Sequence, residues 1–246
     1  MNKEEFIVST LEMFDFAVRA AERWQKDHPE DTSKSDVLCR RTLFSFLLRN
    51  TSSERTDFPP EAVEFLKQAD LDWPAAIEKF RRELPAIAVA DYEGAMKHNP
   101  KFAPGMSVRP DKPNPALPRN WCIIHMWNAI SPKSFLNEQE YFAKCLLRVM
   151  DESEKEYGYD TLYTFTWLNA VPRYLRFFPQ EWQDNLGEPS RDIYANLGFL
   201  GQFLTARRTL NKKTAEQYLA TGELPFKPRK SHCSYAAARK HLQQFI

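Results

Sequence analysis

Two short runs of strand-forming residues, separated by one amphipathic segment, constrain the fold of this chain more than any other feature. The runs cover residues 121–128 and 161–169 and are rich in Ile, Thr, Tyr, Phe and Trp, residue types that favour β-strands. Between them, apolar side chains recur at helical spacing as far as Gly158, a residue that often ends a helix. A strand, a helix and a second strand predict a crossover unit with two parallel strands.

The chain before this unit has the periodicity of helices. Apolar residues such as Ile7, Leu11 and Phe14 recur at steps of four and three, which predicts one buried face per helix. Six prolines fall within residues 100–118 and exclude a helix or a central strand there. We therefore predict a helical domain over residues 1–98, a proline-rich linker or lid over 99–120, and a mixed α/β domain over 121–246 that carries the site.

The predicted fold class is α+β, with a helical N-terminal half followed by a small mixed sheet with crossover helices. An all-α fold is the alternative, because short aromatic runs also occur in buried helices. After the crossover unit, the pattern predicts a helix over residues 192–220, a loop or edge strand over 223–228 and a terminal helix over 235–245.

Composition argues against several functional classes. A net charge of +1, with Lys and Arg spread along 246 residues, argues against nucleic-acid binding. No uncharged stretch is long enough to span a bilayer, so we expect no membrane association. The four widely spaced cysteines form no CxxC pair, which predicts reduced thiols in the cytoplasm and no metal site. The seven glycines form neither a dinucleotide-binding nor a P-loop motif.

Polar and aromatic residues follow both predicted strands. Ligands of parallel sheets bind outside the carboxyl ends of the strands, so we expect these residues to form one site. His125 is the candidate general base, because an imidazole titrates near neutral pH, and Asn128 and Asn169 are the candidate groups that orient a polar substrate atom. The candidate substrate-binding side chains are Trp127, Tyr163 and Trp167.

Each of these residues also has a purely structural interpretation. A histidine on an apolar strand is often a hydrogen-bonded core residue, and both asparagines precede prolines closely enough to be turn residues. Arg207 and Arg208 are candidates for binding cofactor phosphates, although cations near a helix C-terminus also stabilise the helix without any ligand. His232 and Cys233 are a second candidate pair, because an imidazole can activate a thiol.

The crossover unit resembles a known family. Ile124-His125-Met126 and Thr166-Trp167-Leu168-Asn169 resemble the apolar-His-apolar and Ser-Trp-Leu-Leu runs of bacterial proteins with a GNAT-like acyltransferase fold and a helical N-terminal domain. The resemblance covers only this unit, and it implies acyl transfer with an acyl-coenzyme A as cofactor. The nearest counterpart of the family's glycine-containing pyrophosphate loop, Gly198-Phe199-Leu200-Gly201, falls inside a predicted helix.

The sequence thus predicts an acyl- or group-transfer enzyme that acts on a small molecule. Two alternatives stay open. One is a cofactor-independent enzyme of a small apolar or aromatic substrate. The other is a non-catalytic binding module that docks a partner through Phe177, Phe178 and Trp182. The sequence does not determine the substrate or the oligomeric state.

Overall fold

The computed structural model describes residues 2–47, 58–97, 106–108, 114–126 and 128–246. They form an α+β protein in which helices predominate, which confirms the predicted fold class. The chain divides into two compact units. The helical unit contains Met1–Pro100 and Asp192–Pro225, and the sheet unit contains Lys101–Arg191 and Phe226–Ile246. Residues 192–225 therefore belong to the helical unit, whereas the sequence assigned them to the mixed domain.

The helices of the helical unit begin where local signals favour them. Asn2 caps the first helix in a capping box with Glu5, and Pro60 occupies the first turn of the fourth. The first helix ends at Asp27, directly before His28-Pro29, because the residue before a proline avoids the helical region. The described helices are α1 (Lys3–Asp27), α2 (Lys34–Arg41), α3 (Phe44–Leu47), α4 (Pro60–Ala69), α5 (Trp73–Lys97), α9 (Leu197–Leu200) and α10 (Lys212–Thr221).

The core of the helical unit is a group of phenylalanines. Phe14 of α1 lies 5.2 Å from Phe80 of α5, and Phe65 of α4 stacks on Phe80 at 4.5 Å between ring centroids. Pro85 lies inside α5, and the helix is nevertheless continuous. Leu84, on its core-facing side, is fully buried, and burying an apolar side chain offsets part of the cost of a missing backbone hydrogen bond.

The helix predicted over residues 192–220 is wrong for most of its length. The chain forms α9, a short 3-10 helix, a turn at residues 205–209, and then α10. Thr205 Oγ1 accepts hydrogen bonds from the backbone N–H groups of Arg207 and Thr209, and Arg208 has a φ of 62°. A side chain that binds nearby backbone groups favours a turn over a helix.

Two local contacts in the helical unit affect stability. Gly222 ends α10 with a φ of 74°, and an added Cβ there would collide with the Arg23–Asp27 ion pair. Asp70 accepts hydrogen bonds from Ser33 and Ser35 at the start of α2. Slight burial of the Asp70 carboxyl opposes these bonds, but together they lower its pKa below its ordinary value.

The sheet unit contains the predicted crossover. Its strands are ordered β1-β2-β3-β4, with β2 parallel to β3 and the two outer pairs antiparallel. Gly158 ends the crossover helix in the left-handed conformation, as predicted. The elements are β1 (Met106–Val108), β2 (Trp121–Met126), α6 (Gln139–Tyr157), β3 (Thr161–Thr166), α7 (Pro172–Leu175), α8 (Gln180–Asp184), β4 (Arg229–Ser234) and α11 (Tyr235–Leu242).

Two strands differ from the prediction. β1 falls inside the segment predicted as a linker or lid, and the rest of residues 99–113 lies outside the described residues. β4 begins at Arg229, directly after the segment predicted as a loop or edge strand. Its sequence, RKSHCS, contains few strand-forming residues, so its pairing with β3 gives it the strand conformation.

One face of the sheet is covered by helices. Cys122 and Ile124 of β2, Leu162 of β3 and Cys233 of β4 are buried in a common core. That core also contains side chains of α6, α7, α8 and α11. Side chains alternate along a strand, so the residues next to these four along β2, β3 and β4 point to the opposite face of the sheet. That face carries His125.

Candidate functional site

The two central parallel strands separate at their carboxyl ends. Among the described residues, their ladder ends at the pair Ile123 and Tyr163. β2 nevertheless continues to Met126 in contact with β1, and β3 continues to Thr166 in contact with β4. Beyond the pair Ile123 and Tyr163, each of the two central strands is thus paired with its outer neighbour.

His125 is the second-last residue of β2 and lies beside this separation. Its side chain is exposed, and it shares a face with Trp121 and Ile123, opposite the helices. An exposed imidazole can exchange protons with a ligand and with water, which a general base requires.

Asn128 follows β2, and its amide shapes the loop after the strand. Its Nδ2 donates a hydrogen bond to the Lys133 carbonyl at 2.8 Å. This contact holds the loop that leads from β2 to the 3-10 helix Phe135–Asn137 before α6. The turn interpretation of Asn128 therefore accounts for its nitrogen. Trp127, a predicted substrate-binding residue, lies outside the described residues.

Asn169 is a core residue with 0% exposure. Its Nδ2 donates to Thr164 Oγ1 at 3.1 Å and to the Arg229 carbonyl at 2.8 Å, and its Oδ1 accepts from Trp182 Nε1 at 3.2 Å. This amide therefore connects β3, β4 and α8. Because the Asn169 side chain is fully buried and makes these hydrogen bonds, it stabilises the core and does not lie with His125 in an open site.

The two remaining substrate-binding candidates lie in different surroundings. Tyr163 is buried on the His125 side of β3, and burial raises the pKa of its hydroxyl. Trp167 follows β3 in a 3-10 helix, is half-buried, and lies 5.9 Å from Phe226 between ring centroids. His125 and Tyr163 thus share one sheet face, whereas Trp167 lies beyond the strand end.

The structure adds residues to this face that the sequence did not suggest as a group. The Trp121 ring stacks on His232 of β4 at 4.4 Å and lies 5.6 Å from Tyr163. The ammonium of Lys230 lies 5.4 Å from the centre of the Phe165 ring. The strand alternation of Tyr163 and Phe165 is readable in the sequence, but Lys230 and His232 join them only because β4 pairs with β3.

Arg207 and Arg208 lie in the helical unit. Both side chains are exposed, on the turn at residues 205–209 rather than at a helix end. The helix-dipole interpretation of these cations therefore does not apply. Their role as phosphate ligands stays a prediction.

The Cys–His candidate pair does not form a nucleophilic site. His232 and Cys233 are consecutive residues of β4 and point to opposite faces of the sheet. His232 stacks on Trp121, whereas Cys233 is fully buried in the helix-covered core. Burial raises the pKa of the Cys233 thiol, and the nearby Glu181 carboxylate raises it further, so the reactive thiolate is disfavoured.

The aromatic docking surface predicted for a binding module is wrong. Phe177, Phe178 and Trp182 are all buried in the core of the sheet unit, where Phe178 stacks on Trp182 at 4.0 Å. Within the described parts of the chain, no group of three or more His, Cys, Asp or Glu side chains could hold a metal ion. Across the same residues, no helix has the length and apolar character to cross a bilayer.

Comparison of the chain with protein-family models, with curated proteins and with solved structures finds no match. The resemblance to GNAT-like acyltransferases therefore stays a prediction, and functional inference depends on the geometry of the site.

Proposed function

We propose that this chain is a group-transfer enzyme that moves an acyl group from a thioester, such as an acyl-coenzyme A, to a small molecule, with His125 as general base. One observation carries the proposal, namely the separation of β2 and β3 beyond the pair Ile123 and Tyr163. An extended ligand with amide groups can bind strand backbone beyond the end of a ladder, as an added strand would. The arm of coenzyme A is a ligand of this chemistry.

In the proposed reaction, His125 accepts the proton of the acceptor's amine or hydroxyl as that group attacks the thioester carbonyl. A C–N or C–O bond forms, the C–S bond breaks, and the leaving thiolate takes up the proton from the imidazolium. Positioned proton transfer of this kind contributes roughly 10²- to 10⁴-fold to a rate. No metal takes part in this scheme.

Among the predicted site residues, the proposal keeps His125 as the general base. Asn128 instead stabilises the adjoining loop through its hydrogen bond to the Lys133 carbonyl. Asn169 is assigned to the core and not to catalysis. Arg207 and Arg208 are exposed residues of the helical unit. Their predicted phosphate binding is a separate proposal, because guanidinium groups bind phosphate in bidentate fashion, and it is not part of the site on the sheet unit. A cytoplasmic location, where thioester cofactors and reduced thiols occur together, belongs to the same proposal.

The first test measures thermal stability of the protein with coenzyme A and several acyl derivatives. A ligand at a hundred times its Kd stabilises a protein by about 2.7 kcal/mol, so binding raises Tm measurably. The Arg207→Ala/Arg208→Ala variant tests the separate phosphate proposal, and a smaller rise than in wild type would support it. The control variant Arg173→Ala/Lys240→Ala, which removes two exposed cations of the sheet unit, should show the wild-type rise. No rise with any of these compounds would refute the proposal.

A second test addresses the separated strands and the base individually. Hydrogen exchange should slow at the amides of residues 124–126 and 164–166 when an acyl-coenzyme A binds, because new hydrogen bonds protect them. The His125→Gln variant should keep ligand binding but lose about 10²-fold or more in kcat. Unchanged exchange at both segments, or full activity of His125→Gln, would contradict the assigned geometry.

A cofactor-independent enzyme or a binding module for a flat ligand is the second candidate. The stack of Trp121 on His232, two half-buried rings, favours it, because aromatic rings bind planar compounds without any thioester. Binding of planar compounds together with no response to coenzyme A derivatives would select this candidate.

A further inference from the structure

The sheet face that carries His125 has a distinct chemical pattern, and we call it the His125 face. Side chains alternate along each strand, and directly paired residues of neighbouring strands share a side. The register pairs Tyr163 with His232 and Phe165 with Lys230. The His125 face therefore includes Trp121, Ile123, His125, Tyr163, Phe165, Lys230 and His232, with Thr161 and Ser234 at the end away from His125.

Lys230 is the exposed cation of this group. Its ammonium lies over the Phe165 ring, 5.4 Å from the ring centre, and the side chain is exposed. The adjacent Arg229 differs, because its Nε donates to the Gly187 carbonyl at 2.7 Å in the loop after α8. An ammonium that remains accessible beside an aromatic ring can bind an anion whose apolar part rests on that ring.

His125 and Lys230 lie on opposite sides of β3 near its carboxyl end. His125 is on β2 and Lys230 is on β4, with Phe165 on the strand between them. Two interstrand spacings separate their backbones by roughly 10 Å. A single-ring compound with a polar group at each end has a length suited to that gap.

The remaining surface between these two groups is apolar and aromatic. Ile123 and Tyr163 form the next row of the face, and the Trp121–His232 stack borders it. An acceptor with polar groups along its middle, such as a sugar, would lose hydration against this surface without gaining hydrogen bonds. A flat ring would instead bury apolar area against the rings already present.

We propose that the acyl acceptor is a small aromatic carboxylic acid that carries an amine or hydroxyl at the opposite end of its ring. Its carboxylate binds Lys230, its ring contacts Phe165, and its amine or hydroxyl lies at His125, which takes the proton in the transfer described above. This inference rests on the proposed group-transfer function, and it specifies the substrate class of the same site.

The test measures binding of 4-aminobenzoate and of its neutral ethyl ester by isothermal titration calorimetry. We expect the acid to bind wild type five- to tenfold more tightly than the ester does, a difference of about 1 to 1.4 kcal/mol. Lys230→Met should abolish this preference, Lys230→Arg should retain it, and Lys240→Met, which removes an exposed lysine of α11, should leave it unchanged. Raising the salt concentration should weaken binding of the acid alone.

Equal binding of acid and ester to wild type would overturn the proposal. So would an unchanged preference in Lys230→Met, or no binding of 4-aminobenzoate up to about 10 mM. Circular dichroism of each variant establishes that the fold is retained, and the Lys230→Arg variant provides a second readout that does not depend on loss of function.

The two proposals fail in distinguishable ways. If the acid binds through Lys230 but no acyl-coenzyme A raises Tm, the acceptor site stands and the group-transfer function is refuted. If acyl-coenzyme A binds and is turned over with other acceptors while 4-aminobenzoate shows no Lys230-dependent binding, the function stands and the assigned acceptor class is wrong.

Discussion

The buried amide of Asn169 should stabilise the sheet unit strongly, which Asn169→Ala tests. The substitution removes the hydrogen bonds with Thr164, Arg229 and Trp182. Three bonds at about 1 kcal/mol each, together with buried donors and acceptors left unsatisfied, predict a loss of about 3 to 5 kcal/mol. Asn169 has 0% exposure, so these partners are shielded from bulk water in the folded protein. We therefore expect a large fall in the free energy of unfolding.

Urea unfolding followed by circular dichroism measures this loss, with Asn128→Ala as the matched control. Asn128→Ala removes a bond to the Lys133 carbonyl in a half-buried loop and should cost about 1 kcal/mol or less. A double-mutant cycle of Asn169→Ala with Trp182→Phe isolates the indole–amide bond, for which we expect a coupling energy of about 1 kcal/mol.

Equal destabilisation by Asn169→Ala and Asn128→Ala would refute this reasoning, because it would mean that the buried amide contributes no more than an amide in a loop. A fully stable Asn169→Ala variant that had lost all activity would also contradict it. That result would return Asn169 to the catalytic role suggested by the sequence.

Three further predictions concern the rest of the chain. Gly158→Ala should destabilise the protein by about 1 kcal/mol, from the left-handed backbone alone. Gly222→Ala should cost more in the same thermal unfolding assay, because its Cβ also displaces an ion pair. Equal losses in the two variants would contradict the assigned collision. Because the pKa of Asp70 is lowered in the folded state, its stabilising effect is present above the unfolded pKa and is lost as pH falls through the folded pKa. Asp70→Asn should therefore flatten the acid side of a Tm profile below about pH 4, and a profile identical to wild type would argue against the bonds to Asp70. Burial raises the pKa of the Cys122 and Cys233 thiols. A thiol reagent at pH 8 should therefore react slowly with the native protein and titrate all four cysteines in denaturant. Rapid labelling of Cys233 in the native state would show that the sheet core is accessible.

Local sequence signals located several elements of this fold correctly. The β2–α6–β3 crossover follows from the two strand-forming runs and the apolar spacing between them, and Gly158 ends α6 because its left-handed conformation suits glycine. The start of α4 at Pro60 follows from equally local chemistry. For these elements, the preference of each short segment agrees with its tertiary surroundings.

Other elements depended on contacts between distant parts of the chain. The segment RKSHCS forms β4 because β3 offers it a complete antiparallel partner, although its own residues favour no strand. Residues 192–225 join the helical unit, where Phe203 packs on Phe16 of α1 at 4.7 Å. No periodicity within either segment encodes such partners, which is why a single helix was predicted over 192–220.

The candidate site shows the same division between sequence and structure. The sequence by itself determined that polar and aromatic residues follow two parallel strands, because the order of strand-forming and helical segments fixes the crossover. Only the tertiary structure decided which of these residues face outward. Asn169 is buried where α8 and β4 supply hydrogen-bonding partners for its amide. His125 is exposed because the helices pack on the opposite face of β2. Both faces of β2 and β3 are rich in apolar residues, so alternation alone could not tell the covered face from the one that carries the site.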